Sequence, residues 1–186
     1  AMADLGLDPT AAANQAVAVQ NLFYLNNVIH DTLYRHGFTE ATGNFQADNF
    51  GRGGAANDAV NAEAQDGGGT NNANFATPSD GSPGRMQMYL WTTTSPRRDG
   101  DLDSDIVWHE YGHGLTWRMI GSMSGPISGA IGEGMSDVLA LIANDDDVHQ
   151  FLSSVVRGRE NQIDPATRAR VRYVLNDIEP YGEIPF

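Results

Sequence analysis

Five consecutive residues constrain the fold of this chain more than any other segment. They are His109, Glu110, Tyr111, Gly112 and His113, which match the pattern H-E-x-x-H. On an α-helix, residues four apart lie on one face about 6 Å from each other, so both imidazoles can reach one Zn²⁺ ion at about 2.0 Å. Glu110 projects from nearly the same side, where it is the candidate general base for the attacking water. The pattern therefore predicts a helix that carries two metal ligands and a catalytic carboxylate.

A zinc site needs a third protein ligand, and the residues after His113 exclude one common source. The metzincin pattern would place glycine and histidine where this chain has Thr116 and Met119. Glu133 offers a carboxylate at the start of an otherwise apolar helix, where a buried charge needs a partner such as a metal. Asp137 lies four residues later on the same face and can accept the second ring N–H of a ligating histidine. We therefore predict Glu133 as the third ligand and Asp137 as the acceptor that orients a ligating histidine.

The composition limits the kinds of metal site and partner that are available. The chain has no cysteine, so a metal site must use histidine and carboxylate ligands, and disulfide bonds are excluded. The formal net charge of −13 repels phosphate backbones and anionic membranes, which argues against nucleic-acid and membrane partners. No segment reaches the ~18 consecutive apolar residues that cross a membrane. A length of 186 residues suits one domain, or one domain with two lobes.

The start of the chain predicts one long helix. Asp8-Pro9 is a typical helix beginning, because aspartate is a good N-cap and proline fits the first helical position. Gly37 is a typical stop, so the expected helix covers residues 9 to 36. Its apolar stripe recurs at spacings of three and four and consists of Leu22, Leu25, Ile29 and Leu33.

The middle of the chain predicts loops with short strands. Residues 38–84 are rich in Gly, Asn and Asp, and short extended pieces are expected near Val60 and Phe75. Residues 84–92 alternate in polarity and carry aromatic side chains, which predicts one strand.

The second half of the chain predicts helices. The histidine helix is expected from about residue 104 to 120, followed by a glycine-spaced loop over 121–132. A buried helix is then expected over 132–143, with Val138, Leu139, Leu141 and Ile142 as its apolar content. Two further helices are expected near 147–157 and 164–176.

An acidic loop from Asp99 to Asp105 precedes the histidine helix and supplies its N-cap. Its alternating aspartates are compatible with a bound Ca²⁺ ion, although no 12-residue EF-hand loop ending in glutamate follows. The simpler interpretation of the acidic surface is solubility. We carry calcium as a second candidate cofactor beside zinc.

Several segments together resemble the fungalysin family of secreted zinc metallopeptidases, which are thermolysin-like gluzincins. Glu133 follows His113 by 20 residues and is itself followed by Ser136-Asp137, which is similar to the gluzincin motif N-E-x-x-S-D. Met135 stands where the fungalysin form usually has tryptophan. The resemblance covers about residues 14 to 143. Its segments are Asn26-Asn27-Val28-Ile29-His30-Asp31, Gly37-Phe38-Thr39-Glu40, Gly43-Asn44-Phe45-Gln46, Asn71-Asn72-Ala73-Asn74-Phe75, His109 to Gly114 and Gly132 to Asp137.

The resemblance implies an α+β fold built on a thermolysin-like zincin core. We expect an N-terminal helix plus a small sheet in a lobe of residues 1–103, then the active-site helix and further helices in a lobe of residues 104–186. Asn72 and Ala73 would lie on an edge strand that pairs with the substrate backbone. Family members are made with a signal peptide and a propeptide and then secreted. We therefore expect an extracellular, monomeric enzyme that acts on proteins or peptides.

Two functional classes stay open at this point. After about Asn144 the chain does not match the family, and the later histidine thought to help stabilise the oxyanion has no motif here. The chain is therefore either a compact relative or a truncated piece. The first class is an active zinc endopeptidase, and the second is a zinc-binding or regulatory remnant with little turnover. Hydrolysis of an unstructured protein such as casein separates the two.

Overall fold

Three α-helices and two small β-sheets make up the described part of the chain. A computed structural model describes residues 3–121 and 123–144. The elements are α1 (Ala12–Arg35), β1 (Asn61–Glu63), β2 (Ala73–Ala76), β3 (Arg85–Met88), β4 (Leu90–Trp91), β5 (Arg98–Asp99), α2 (Ser104–Met119) and α3 (Pro126–Ala143). This order confirms the expected α+β class, and the helices predicted near 147–157 and 164–176 lie outside the described residues. In that part of the chain, none of the helices is long and apolar enough to cross a membrane.

Helix α1 begins three residues later than the sequence predicts. Asp8 does not cap the helix, because its carboxylate accepts hydrogen bonds from the backbone N–H and the hydroxyl of Thr10. The same carboxylate pairs with Arg97 at 2.7 Å. A side chain that binds nearby backbone in this way stabilises a turn in competition with helix, so the first helical residue is Ala12 rather than Pro9.

The apolar stripe of α1 faces the hydrophobic core, as predicted. The aromatic centre of that core is formed by Phe45, Phe75 and Tyr111, whose ring centroids lie 5.6 to 6.1 Å apart. Tyr111 comes from the histidine helix, so the core directly supports the segment that carries the candidate ligands. The stripe residues that belong to the core are Leu22, Ile29 and Leu33, with Leu25 partly buried against them.

A three-stranded sheet has β3 in the centre, with β1 parallel to it on one side and β2 antiparallel on the other. Strands β1 and β2 confirm the extended pieces predicted near Val60 and Phe75. The second sheet pairs β4 with β5. The prediction of one strand over 84–92 is wrong, because the chain changes partners at Tyr89. Met88 pairs in the first sheet and Leu90 in the second, and an alternating pattern cannot reveal a change of neighbour.

Helix α2 matches its predicted position. Asp103 is its N-cap, and the carboxylate accepts hydrogen bonds from the N–H groups of Asp105 and Ile106. At the other end, the buried guanidinium of Arg118 lies 2.8 Å from the carboxylate of Asp58 and stacks 4.4 Å from the ring centroid of Phe45. Both ends of the helix are thus fixed by side chains.

Helix α3 is longer than the sequence predicts, because it begins at Pro126 inside the expected loop 121–132. Gly125 has a positive φ of 94° and turns the chain into the helix, and Pro126 occupies the first turn, where its missing N–H costs nothing. The glycines of this segment suggested a loop, yet Gly129 and Gly132 lie within the helix.

The buried face of α3 is only partly the predicted one, because Leu139 packs against the core but two of the other predicted residues do not. Val138 and Ile142 are 39% and 66% exposed. The residues of α3 that are buried are small, namely Gly132, Ser136 and Ala140. Small residues on this face let α3 approach α2 closely, which places the polar side chains of the two helices within reach of each other.

Candidate metal centre

The histidine helix presents two imidazoles side by side. His109 and His113 lie one turn apart on α2, with ring centroids 4.7 Å apart and planes at 84°. Their side chains are 20% and 17% exposed, so each ring is held by the protein on one side and open on the other. This orientation follows from helix geometry, which places residues four apart on one face.

Helix α3 brings Glu133 to the open side of both rings. Its Oε2 lies 3.1 Å from His109 Nε2 and 3.6 Å from His113 Nε2. One ligand atom from each of the three residues lies within 4.8 Å of the other two. The structure thus brings together the three residues that the sequence singled out as ligands. They come from two helices, and His109 and Glu133 are 24 positions apart in the chain.

These separations fit a small metal ion. Ligand atoms about 2.0 to 2.2 Å from a tetrahedral Zn²⁺ lie about 3.3 to 3.6 Å from one another. The distances from Glu133 Oε2 to the two imidazole nitrogens, 3.1 and 3.6 Å, bracket that range. Two imidazoles and one carboxylate are also a donor set that zinc accepts at sites with an open position.

Asp137 orients the first imidazole. Its Oδ1 lies 2.7 Å from His109 Nδ1, so the carboxylate accepts the Nδ1–H and leaves Nε2 directed at Glu133. A carboxylate behind a ligating histidine fixes the tautomer and raises the basicity of the ring.

Glu110 carries a buried carboxylate next to the three candidate ligands. The residue is 5% exposed, and its Oε2 has no hydrogen-bond partner among the described residues. Burial raises the pKa of Glu110 to about 7; nearby His109 opposes this effect and Glu133 adds to it. Burial likewise lowers the pKa of His113. A buried oxygen without a partner beside a polar cluster is expected to receive a hydrogen bond from a bound water or substrate.

The sequence did not single out two residues that complete this centre. Ser136 Oγ lies 3.4 Å from His113 Nδ1, and Gly112 is the point on α2 that touches Ser136. The available signals were the place of Ser136 in the motif after Glu133 and the glycine between the two histidines, which is unusual inside a helix.

Ala73 is the first residue of β2, an edge strand of the three-stranded sheet, and Asn72 directly precedes it. The side chain of Ala73 is buried in the core and Asn72 is exposed. The outer edge of β2 therefore offers backbone groups rather than the Ala73 side chain.

In the acidic loop before α2, the carboxylates of Asp99 and Asp101 contact each other, and those of Asp103 and Asp105 have partners elsewhere. Asp103 caps the helix, Asp105 accepts a hydrogen bond from Asn144, and Asp99 and Asp101 contact Gln65. In residues 3–121 and 123–144, the group of three possible ligand residues is the histidine and glutamate centre described above.

Comparisons with known proteins cover the part of the chain that contains these residues. The family model described as "Fungalysin metallopeptidase (M36)" matches residues 3–163 and so includes all three candidate ligands. The chain is 55% identical over 129 residues to "Extracellular metalloproteinase MEP" of Fusarium vanettenii and 57% identical over 128 residues to the protein of the same name from Pyricularia oryzae. It is 54% identical over 129 residues to "Extracellular metalloproteinase 2" of Arthroderma otae.

Each of these three matches covers 66% of this chain and 20% of the relative. The chain therefore spans about a fifth of the length of the curated relatives that it matches. The family model nevertheless matches most of the chain. The matched residues include α2 and α3, where ligand atoms of the two histidines and the glutamate lie within 4.8 Å of one another. This chain belongs to the fungalysin metallopeptidase family.

Proposed function

We propose that this chain carries the zinc centre of a metalloendopeptidase that hydrolyses peptide bonds. One observation carries the proposal: ligand atoms of His109, His113 and Glu133 lie within 4.8 Å of one another. The buried carboxylate of Glu110 beside them, with one oxygen free of hydrogen-bond partners in the described residues, supplies a base at the same place. A structural zinc site would instead favour four protein ligands.

Zinc and Glu110 would divide the chemistry between them. When bound by the three ligands, Zn²⁺ polarises the peptide carbonyl and lowers the pKa of water. Glu110 accepts the proton of the attacking water at its free carboxylate oxygen, as a general base. His109 is held by Asp137 with Nε2 outward, so the ring is oriented before any ligand arrives.

The substrate would bind as an extended strand. Strand β2 is an edge strand, and its first residue, Ala73, together with the preceding Asn72, is proposed to pair with the substrate backbone. Because the Ala73 side chain is buried, this contact would be made by backbone groups and would accept many substrate sequences. The partners that we expect are proteins or peptides, and we expect the enzyme to be a monomer. The names of the extracellular relatives support its action outside the cell. The negative net charge of −13 disfavours nucleic acids and anionic membranes.

Casein hydrolysis tests this proposal. We expect the chain loaded with zinc to cleave casein, and Glu110→Gln to keep the metal while losing about 100-fold or more of the rate. Glu63→Gln is the matched control, because Glu63 is a half-exposed glutamate that pairs with Arg85 in the sheet. Near wild-type hydrolysis by Glu110→Gln would reject the base.

A second candidate is metal binding with little turnover. Glu133 is 65% exposed, so the centre is open on the side where a substrate would lie. Of the histidines outside the motif, His30 contacts Asp31 and Gln46, and His36 contacts the Thr32 carbonyl of its own helix. Loss of one oxyanion donor costs about 100- to 1000-fold in rate.

The two candidates differ in kcat/KM on an internally quenched peptide. If this chain alone equals a form extended to the length of its relatives, it is a complete, small peptidase. A value about 100-fold lower would identify it as the metal-binding part of one.

Calcium in the loop from Asp99 to Asp105 stays a prediction. A rise in the melting temperature on addition of CaCl₂, absent in Asp99→Asn, would support it.

A further inference from the structure

Helices α2 and α3 touch where neither has a large side chain. A Cβ atom built on Gly112 would lie 3.0 Å from Ser136 Cα, 3.1 Å from its Cβ and 2.9 Å from its Oγ. Carbon atoms in contact normally stay about 3.5 to 4.0 Å apart. Any side chain at this position would therefore push α3 away from α2 by several tenths of an ångström.

The contact at Gly112 sets the position of a buried hydroxyl. Ser136 is fully buried, and its Oγ lies 3.4 Å from Nδ1 of His113. The other ring nitrogen of His113, Nε2, faces Glu133 at 3.6 Å. Ser136 thus stands behind His113 as Asp137 stands behind His109.

We propose that Ser136 is a positioning residue that orients His113 for metal binding, and that Gly112 is the residue that lets it do so. The inference rests on the proposed zinc centre and adds to it. The hydroxyl of Ser136 accepts the Nδ1–H of His113, which leaves the lone pair of Nε2 toward the metal. One turn of α3 then supplies a ligand, Glu133, and a partner for each imidazole.

The two imidazoles are held by different chemistry. Asp137 offers a charged oxygen at 2.7 Å, whereas Ser136 offers a neutral oxygen at 3.4 Å. The Ser136 contact is the weaker of the two, because charge-assisted hydrogen bonds are shorter and stronger than neutral ones. Its effect therefore depends on the helix spacing that Gly112 permits.

Zinc affinity tests both residues in the whole 186-residue chain. We expect Ser136→Ala to weaken zinc binding about 10-fold, the lower end of the effect of such partners. Gly112→Ala should weaken it at least as much, since it moves α3, and with it Glu133, away from α2. Gly134→Ala is the matched control, because a Cβ there meets nothing within 4 Å although the residue adjoins Glu133.

The NMR signals of the imidazole N–H groups, measured on ¹⁵N-histidine-labelled, zinc-loaded protein, give a second measurement. A variant that only lowers the stability of the fold would not change these signals at one histidine alone. In the wild type we expect slowly exchanging Nδ1–H signals from both His109 and His113. Ser136→Ala should shift the His113 signal and speed its exchange with water, and leave the His109 signal unchanged. Unchanged zinc affinity and an unchanged His113 signal in Ser136→Ala would overturn the inference. Failure of the wild type to bind zinc would instead reject the proposed zinc centre on which it rests.

Discussion

His109 Nδ1 lies 2.7 Å from Asp137 Oδ1, although the two residues belong to different helices and are 28 positions apart. If this contact orients the ring, Asp137→Ala should weaken zinc affinity about 10- to 100-fold without unfolding the chain. Competition with a chelator of known affinity measures the change.

Asp31→Ala provides the matched control for that experiment. Asp31 also lies 3.0 Å from a histidine Nδ1, but that histidine is His30, which is not a candidate ligand. We expect its removal to leave zinc affinity unchanged. Equal affinities for Asp137→Ala and the wild type would show that the carboxylate does not support the metal.

The buried ion pair at the end of α2 predicts a large loss of stability. Arg118 and Asp58 are 4% and 0% exposed, and they lie 2.8 Å apart. Arg118→Met should lower the free energy of unfolding by about 3 to 5 kcal/mol, because Asp58 is left buried without its cation. Urea denaturation measures this loss.

Two further variants check the cause. Arg118→Met combined with Asp58→Asn should recover part of the stability, since no unpaired charge is left in the core. Arg85→Met, which breaks the exposed pair with Glu63, should cost far less. A similar loss for Arg85→Met would contradict the role given to burial.

The acidic loop predicts a stability that depends on pH. Burial raises the pKa of Asp101 from 3.8 to about 9, and Asp99 adds to this effect through a hydrogen bond and through its negative charge. The folded protein therefore binds this proton more tightly than the unfolded chain does. The stabilisation is fully present below the unfolded pKa and is lost as pH rises toward the folded value, by up to about 1.4 kcal/mol per pH unit.

Asp101→Asn mimics the protonated carboxyl, so its stability should fall less than that of the wild type between about pH 5 and pH 8. Asp103→Asn is the control, because it removes an exposed carboxylate while asparagine remains a good N-cap. Urea denaturation at each pH gives the free energy of unfolding. If this free energy changes with pH in the same way for the wild type and Asp101→Asn, Asp101 is not protonated in the folded state.

The sequence predicts best what depends on local geometry alone. The spacing of His109 and His113 predicts their shared helical face, because any α-helix places residues four apart together. Asp103 is recognisable as a cap for the same reason. The gathering of Glu133 with the histidines was expected from the motif and its family resemblance, and the roles of these residues stay predictions until zinc is measured.

What the sequence hides is contact between elements. Gly132 suggested the end of a loop, although it is a buried residue of α3 that lies against Met123. The reason for Gly112 is its close contact with Ser136 of α3, which the sequence does not reveal. The division into lobes at residue 103 likewise stays a prediction.

The most direct test of the proposed centre is the zinc content of the purified chain after mild dialysis, measured by atomic emission. The wild type and a His36→Ala control should each retain about one zinc per chain, and His113→Ala combined with Glu133→Ala should retain almost none. Full zinc in the double variant, or none in the wild type, would contradict the assignment of His109, His113 and Glu133 as the ligands.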